Sequence, residues 1–388
     1  MAETALVFPA AEYRRRAEAL QARMDEAGLD ALLLTTPPDV YYVTGFLTRF
    51  WESPTRPFFA ILPASGAPIA VIPAIGADLM RRTWVGDIRT WDSPDPEDDG
   101  VSLLVDTLCG LVREEGRIGL PMGPETHLRM PLHDYALVAA SIAPRHFVDA
   151  TRPLRRVREI KSEAEIDRIS AACAAADTAF ERVPGIAGGG PALSEVFRSF
   201  QSALLDGGAD WIGYVAGGAG PGGYADVISP AEARPLAAGD VLMLDTGAVR
   251  EGYFCDFDRN YAVGAPTDAV RRTHDALFAA TEAALDTLRP GMTAREVHRL
   301  LHEALHARGA VPLAGRLGHG VGLALTEWPS FTPKDDTVLR EGMVLALEPG
   351  AEISPGRIMV HEENLVLRAG GPELLSRRAP AELPVIEP

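Results

Sequence analysis

The second half of this chain contains an internal repeat, which limits the possible folds more than any single motif does. Residues 160–264 and 267–368 each show a long helical pattern, a shorter helical pattern and then short runs typical of antiparallel strands. One helix of each copy begins at a capping box, Ser162–Glu165 in the first and Thr293–Glu296 in the second. Two such copies predict a domain of two similar halves related by pseudo-twofold symmetry, with a site between them.

Strand and helix patterns alternate upstream of the repeat. Residues 1–152 therefore predict an α/β domain. The segment 153–161 is basic and almost devoid of a core pattern, so it predicts a linker to a domain that spans residues 162–388. The predicted fold class is an α/β N-terminal domain followed by an α+β C-terminal domain, and a length of 388 residues suits two domains.

Two acids, Asp245 and Asp256, lie on adjacent strands predicted within the first copy. Val241 and Met243 alternate with Leu242 and Leu244, so Asp245 ends a buried strand. Two buried carboxylates that face each other repel unless a proton or a cation lies between them. From this segment alone, an exposed hairpin with both acids in water is an alternative.

The second copy supplies three further candidates. His319 lies among glycines in Gly318–Gly322, Glu348 ends an apolar strand before a Pro-Gly pair, and Glu362 and Glu363 interrupt another strand pattern. Each of these features alone is more often structural than functional. Together they form an oxygen-rich set with one nitrogen, which suits two divalent ions such as Mn, Fe, Co or Zn. Two such ions can generate a hydroxide and stabilise a developing oxyanion.

With these residues in this order, the C-terminal region resembles the pita-bread metallopeptidase family, which includes methionine aminopeptidase, aminopeptidase P, prolidase and the creatinases. The N-terminal domain and the segment 160–163 resemble the two-domain branch of that family, namely aminopeptidase P, prolidase and creatinase. The matching residues, in chain order, are Asp245, Asp256, His319, Glu348 and Glu362.

The resemblance implies a role for each matching residue. Asp245 would chelate one ion, and Asp256 and Glu362 would bridge both ions. His319 and Glu348 would complete the shell of the other ion, and Glu348 would also carry the proton of the bridging water. Glu363 is the competing choice for the last ligand, because the strand register there is open.

The resemblance implies a dinuclear metallohydrolase of the Xaa-Pro peptidase type that acts on a dipeptide or a small amide. Several positions depart from the proline-specific pattern. Thr326 replaces the histidine of a His-Glu pair, Asp258 stands where a threonine is expected, and Val360 replaces an arginine. No histidine occurs in 227–229 either. An ectoine hydrolase-like amidase, a dimethylsulfoniopropionate lyase-like enzyme and a metal-free binding relative are therefore alternatives.

Several side chains are candidates for contact with the substrate. The resemblance implies a homodimer in which the N-terminal domain of one subunit helps to close the site of its partner, with Arg49 and Trp51 as the candidates for that role. An aromatic face such as that of Trp51 can bind a cationic substrate. The remaining substrate-binding candidates are Tyr214, Asp258, Thr326 and His361.

Composition excludes some classes of partner. The net charge is −17, whereas nucleic acids and anionic membranes attract basic surfaces. Three widely spaced cysteines form no disulfide framework and suit a reducing compartment. No run of residues approaches a membrane span or a secretory signal. The chain is therefore expected to be a cytoplasmic protein with a small-molecule or dipeptide substrate.

Overall fold

The computed structural model describes residues 6–53 and 56–388. The chain divides into two compact units, one ending at Arg158 and the other beginning at Glu159. Each unit has its own sheets and its own apolar core. The division falls inside the segment 153–161.

The N-terminal unit is an α/β domain around a mixed six-stranded sheet. The sheet order is β4-β3-β2-β1-β5-β6, in which β1 pairs antiparallel with β2 and parallel with β5. Its core lies between this sheet and helices α4 and α5. The strands are β1 (Ala31–Leu34), β2 (Phe59–Pro63), β3 (Ile69–Pro73), β4 (Asp87–Trp91), β5 (Arg117–Leu120) and β6 (His146–Asp149). The helices are α1 (Ala10–Ala27), α2 (Pro37–Thr44), α3 (Ala77–Met80, after a 3-10 turn at Ala74–Gly76), α4 (Val101–Leu111), α5 (Leu132–Ser141) and α6 (Thr151–Arg158).

Helix α6 corrects the predicted linker. Residues 153–158 are helical, and Pro153 and Leu154 are buried. Arg158 is buried as well because its guanidinium pairs with Asp39 at 2.5 Å. Most of the segment predicted as a linker is therefore a short helix with one buried face, which its basic composition did not indicate.

The C-terminal unit contains the predicted repeat. In the first copy, helices precede four strands. They are α7 (Glu163–Phe180), α8 (Val183–Ala187), α9 (Leu193–Asp206), β7 (Trp211–Pro221), β8 (Asp240–Arg250), β9 (Tyr253–Phe254) and β10 (Phe257–Val263). The second copy again places helices before strands. These are α10 (Asp268–Thr287), α11 (Ala294–Ala307), β11 (Val311–Pro312), β12 (Gly318–Gly320), β13 (Glu327–Ser330), β14 (Val344–Leu347), β15 (Gly350–Ser354), β16 (Arg357–Val360), β17 (Glu363–Arg368) and β18 (Gly371–Leu374), with β19 (Val385–Ile386) near the C-terminus.

Each copy builds one main sheet, antiparallel throughout except where β19 pairs parallel with β10. The first has the order β19-β10-β8-β7, with β9 paired to β8, and the second has the order β13-β12-β14-β17-β18. A smaller sheet, β11-β15-β16, completes the second copy. The capping boxes at Ser162 and Thr293 are both formed. Within the described ranges, no helix is long and apolar enough to cross a membrane.

Candidate metal centre

The acids of the first copy lie on one face of the β8–β10 pair. Asp245 on β8 is directly opposite Asp258 on β10. Asp256 precedes Asp258 by two residues, and side chains at that spacing in extended chain point to the same side. Three carboxylates therefore project from neighbouring positions, and Cβ atoms directly opposite each other are only about 5 Å apart.

The second copy brings its ligating groups to the same place. His319 lies on β12, Glu348 follows β14, and Glu362 precedes β17. Asn364 joins the two copies, because its side chain accepts a hydrogen bond from Asp256 N at 2.8 Å and donates one to Asp256 O at 2.6 Å. These two hydrogen bonds to the backbone of Asp256 hold that residue beside β17, the strand that Glu362 precedes.

Asp256, His319 and Glu362 form a buried triad. Each offers one ligand atom, and these three atoms lie within 4.8 Å of one another. His319 Nε2 is 3.2 Å from Asp256 Oδ2, and it is 4.0 Å from both Glu348 Oε2 and Glu362 Oε1. One imidazole nitrogen therefore faces three carboxylates.

The backbone sets which nitrogen of His319 faces the acids. Nδ1 lies 2.8 Å from Gly320 O, and because a carbonyl only accepts, Nδ1 carries a proton. Nε2 remains as the atom directed at the carboxylates, as in a metal-binding histidine. Burial alone would lower the pKa of His319, but its hydrogen bond to Asp256 and that residue's charge outweigh burial and raise the pKa.

The hydroxyl of Tyr214 lies between two carboxylates of the cluster. It lies 2.6 Å from Asp245 Oδ2 and 2.7 Å from Asp256 Oδ1. A hydroxyl has one proton, so it donates to only one of these carboxylates. Burial and then the charge of Asp256 raise the pKa of Asp245 well above its ordinary value.

Three buried carboxylate oxygens of this acid cluster have no hydrogen-bond partner among the described residues. They are Asp245 Oδ1, Asp258 Oδ2 and Glu362 Oε1. Burial and then the charge of Asp256 also raise the pKa of Glu362 well above its usual range. An unsatisfied buried carboxylate is costly, whereas oxygen-rich sets with an imidazole suit divalent cations. The residues present therefore fit a divalent metal site.

Glu348 differs from the other acids of the cluster in its access to solvent. Its side chain is 30% exposed, compared with 4% for Asp256 and 3% for Glu362. Burial raises the pKa of Glu348, against the opposing charge of His319. On its accessible side lies Arg316, whose Nε is 3.9 Å from Glu348 Oε2. Arg316 was not identified from the sequence, since a lone arginine in a loop has no distinctive pattern.

Glu362 and Glu363 face different surroundings. Glu363 is fully buried and receives Arg259 Nη2 at 3.0 Å and Arg378 Nη1 at 2.9 Å. Burial alone would raise the pKa of Glu363, but Arg259 and further partners lower it to about 2. Glu363 is thus paired with two arginines of the protein, and this pairing favours Glu362 over Glu363 as the last ligand.

The residues predicted to contact the substrate differ in their surroundings. Tyr214 lies at the centre, and Thr326 accepts a hydrogen bond from Arg316 at 3.3 Å. Asp258 is 2% exposed, so it is a buried part of the acid cluster, and its contact with the substrate stays a prediction. Glu327 beside Thr326 is also buried, paired with Lys161 at 3.1 Å.

The substrate role of His361 stays a prediction. Its Nε2 is 2.6 Å from Arg378 Nη1, and its ring packs edge-on to His274 and Phe278. His361, His274 and Arg378 line a cavity of about 230 Å³, whose wall also includes Asp258 of the acid cluster. Side chains alternate along extended chain, so His361 points away from the face that Glu362 uses.

Arg49 and Trp51 belong to the N-terminal unit. Trp51 packs against Phe46 and Phe58, with ring centroids 6.5 and 5.0 Å away. The guanidinium of Arg129 lies 5.0 Å from the Trp51 ring. These contacts stabilise the loop that follows α2, and the substrate role of both residues stays a prediction.

Comparisons with known proteins cover both units. The profile of metallopeptidase family M24 matches residues 167–368, and that of the Creatinase/Prolidase N-terminal domain matches residues 16–160. A probable dipeptidase PepE of Mycobacterium tuberculosis is 32% identical over 385 residues, covering 98% of each chain. An Xaa-Pro dipeptidase of Pyrococcus horikoshii is 26% identical, over 90% of this chain and 94% of its own. The crystal structure of dipeptidase PepE from Mycobacterium ulcerans is similar with a TM-score of 0.83 at 30% identity, covering 98% of this chain and 100% of that one.

Proposed function

This chain belongs to metallopeptidase family M24 and is a metal-dependent peptidase, and we propose that it hydrolyses dipeptides whose second residue is proline. The expected two-domain architecture with a C-terminal pita-bread domain is confirmed. The observation that carries the proposal is the cluster of buried, unpartnered carboxylate oxygens around His319. The dipeptidases among its relatives supply the substrate class.

The ligand set follows from the cluster. We infer that Asp245, Asp256, His319, Glu348 and Glu362 hold two divalent ions, with manganese, iron, cobalt and zinc as the candidates. Bound there, such ions would supply Lewis acidity, which lowers the pKa of water and stabilises negative charge on a carbonyl oxygen. Asp258 is a sixth group that could face a cation. Its Oδ1 accepts a hydrogen bond from Glu362 N at 2.8 Å, and its Oδ2 has no hydrogen-bond partner among the described residues.

Proton transfer is assigned to Glu348. It is the acid of the Asp256–Glu362–Glu348 group that solvent reaches, so its carboxylate can exchange a proton with water and with the substrate. Glu348 would take the proton of the attacking water and deliver it to the proline nitrogen as the peptide bond breaks. His319 keeps Nε2 directed at the reacting centre through its bond to Gly320 O.

The setting of the enzyme is also inferred. The three cysteines are free, and Cys173 and Cys255 are buried, which suits a reducing cytoplasm. The charge of −17 argues against a nucleic-acid or membrane partner. A homodimer in which Arg49 and Trp51 reach the partner's substrate completes the proposal.

Release of free proline tests the proposal directly. Protein stripped with chelator and reloaded with Mn²⁺, Fe²⁺, Co²⁺ or Zn²⁺ is incubated with an Xaa-Pro dipeptide. We expect proline release with at least one metal and none from the stripped protein. Asp256→Asn should lose more than the roughly 100-fold that outer-shell changes cost. The control, Asp240→Asn, alters a buried acid at the start of strand β8 that pairs with Arg234 outside the cluster, and it should keep most activity.

The alternatives give different results in the same assay. An ectoine hydrolase-like or lyase-like enzyme would need the same cations but release no proline, and would instead act on ectoine or dimethylsulfoniopropionate. A metal-free binding relative would show no activity with any metal. Either result refutes the dipeptidase proposal.

A further inference from the structure

Arg316 lies at the accessible side of the metal centre. It precedes β12 by two residues, and its side chain is 38% exposed. Its guanidinium is 3.9 Å from Glu348 Oε2, the carboxylate that solvent reaches. A positive charge is thus held next to the residues that would act on a substrate.

Most of the hydrogen-bonding capacity of Arg316 is unused. Among the described residues, its one hydrogen bond runs from Nη2 to Thr326 Oγ1 at 3.3 Å, and the 3.9 Å contact with Glu348 is too long to be a second. A guanidinium has five N–H donors in a planar fork that matches a carboxylate. Thr326 therefore orients this fork without occupying it.

We propose that Arg316 binds the free carboxylate of the substrate's C-terminal residue, and so makes the enzyme a dipeptidase that disfavours longer or amidated peptides. This inference rests on the proposed function. In a dipeptide, the free carboxylate follows the scissile carbonyl by one residue, which spans about 3.5 Å of chain. A substrate whose scissile bond lies at Glu348 thus places its carboxylate within reach of a guanidinium 3.9 Å from that acid.

Two substrates that differ only in charge separate this role from a structural one. An Xaa-Pro dipeptide and its C-terminal amide share the scissile bond, but the amide has no carboxylate. We expect wild type to prefer the free acid. Arg316→Met should lower kcat/KM for the acid roughly ten- to a hundredfold, chiefly through KM, as for a lost hydrogen bond to a charged group. The same variant should change kcat/KM for the amide by no more than about twofold.

Two further variants control the comparison. Arg316→Lys keeps the charge and loses the fork, so it should recover part of the preference for the acid. Arg295→Met removes a surface arginine of the same unit that pairs with Asp336, and it should leave both substrates unaffected. Thermal unfolding of each variant shows whether it is folded.

The outcomes distinguish this inference from the proposed function. Equal losses on acid and amide in Arg316→Met would mean that Arg316 only positions Glu348, and would overturn the inference while leaving the dipeptidase intact. A wild type that does not prefer the acid would overturn it as well. A wild type that cleaves neither substrate refutes the proposed function and the inference together.

Discussion

Glu362 and Glu363 are adjacent acids with opposite surroundings. Glu362 Oε1 is buried without a partner, whereas Glu363 is held by Arg259 and Arg378. Glu362, just before β17, is therefore free to serve a cation, whereas Glu363, the first residue of β17, is paired with the protein's own arginines.

Matched substitutions should separate these two roles. Glu362→Gln should weaken divalent cation binding by more than about tenfold, because it removes a charge from the centre. Glu363→Gln should keep cation affinity and lower the free energy of unfolding by about 3 kcal/mol, because it leaves buried arginines unpaired. Isothermal titration with Mn²⁺ and urea unfolding measure both quantities. The reverse pattern would make Glu363 the ligand.

Asp258 provides a second prediction for a single residue. Asp258→Asn keeps the shape of the side chain and removes its charge, so binding of Mn²⁺ should weaken by roughly tenfold or more. Removing a like charge beside Asp245 should also raise the unfolding temperature of the metal-free protein. If Mn²⁺ affinity is unchanged in titrations of Asp258→Asn and Asp258→Thr, Asp258 does not face the cations.

Single residues also mark where prediction from sequence ends. Acids that follow apolar runs are visible in the sequence, so Asp245 and Glu348 could be identified as candidates, although Asp245 lies inside β8 (Asp240–Arg250) and does not end the strand as predicted. Glu362 and Glu363 could not be distinguished, because the arginines that decide between them are distant in sequence. The surroundings of His361 could not be predicted either, because Arg378 and His274, which it contacts, are distant in sequence.

At the scale of elements, strand β12 depends on its glycines. Gly318 has φ +139°, and a Cβ there would lie 2.2 Å from Ala346 O on β14. Only glycine allows this backbone and this close approach. The contact holds His319 against β14, so the glycine before this histidine is required by strand packing as well as by the site.

Gly318→Ala should therefore disturb both stability and the site. We expect a loss of about 1–3 kcal/mol in the free energy of unfolding, since the new methyl group forces β12 and β14 apart. Cation affinity should fall too, because His319 moves with β12. Gly370→Ala is the control, as its Cβ would meet nothing within 4 Å. Equal behaviour of the two variants in urea unfolding and Mn²⁺ titration would contradict this account.

Elements were predicted best where local signals were strong. The capping boxes at Ser162 and Thr293 indicated helices that the structure contains. Helix α6 was missed because its hydrophobic face is only a few residues wide. In addition, Arg158 is buried by an ion pair with Asp39, which no local sequence pattern shows. Asn364 was missed for a similar reason, since its role depends on Asp256 in the other copy.

At the scale of the whole molecule, the acid cluster links stability to pH and metal. Burial and neighbouring charges raise the pKa values of Asp245, Asp258 and Glu362 in the metal-free fold. The folded protein therefore binds more protons than the unfolded chain above about pH 4, the usual carboxyl pKa. Its free energy of unfolding falls as pH rises through the raised pKa values.

A bound divalent cation should oppose that fall. We expect the unfolding temperature of metal-free protein to decrease from about pH 4 towards pH 8, and the increase caused by Mn²⁺ to grow over the same range. Thermal unfolding by circular dichroism, with Mn²⁺ or with chelator, measures both trends. A Mn²⁺ effect that is constant with pH would show that the cation does not bind to these acids.

The architecture of the whole molecule was predictable because it rests on repetition. The repeat in residues 160–368 indicated two similar halves, and the acids of both halves then indicated a site between them. Arg316 could not be predicted, because its importance arises only from the folded position of Glu348 and Thr326.

Metal stoichiometry tests the central claim most directly. Purified protein is stripped with chelator, titrated with Mn²⁺ and analysed for bound metal after gel filtration. The arrangement of Asp245, Asp256, His319, Glu348 and Glu362 predicts about two ions per chain, and proline release should rise as they bind. Fewer than about one ion per chain, or proline release that does not depend on bound metal, would contradict the account.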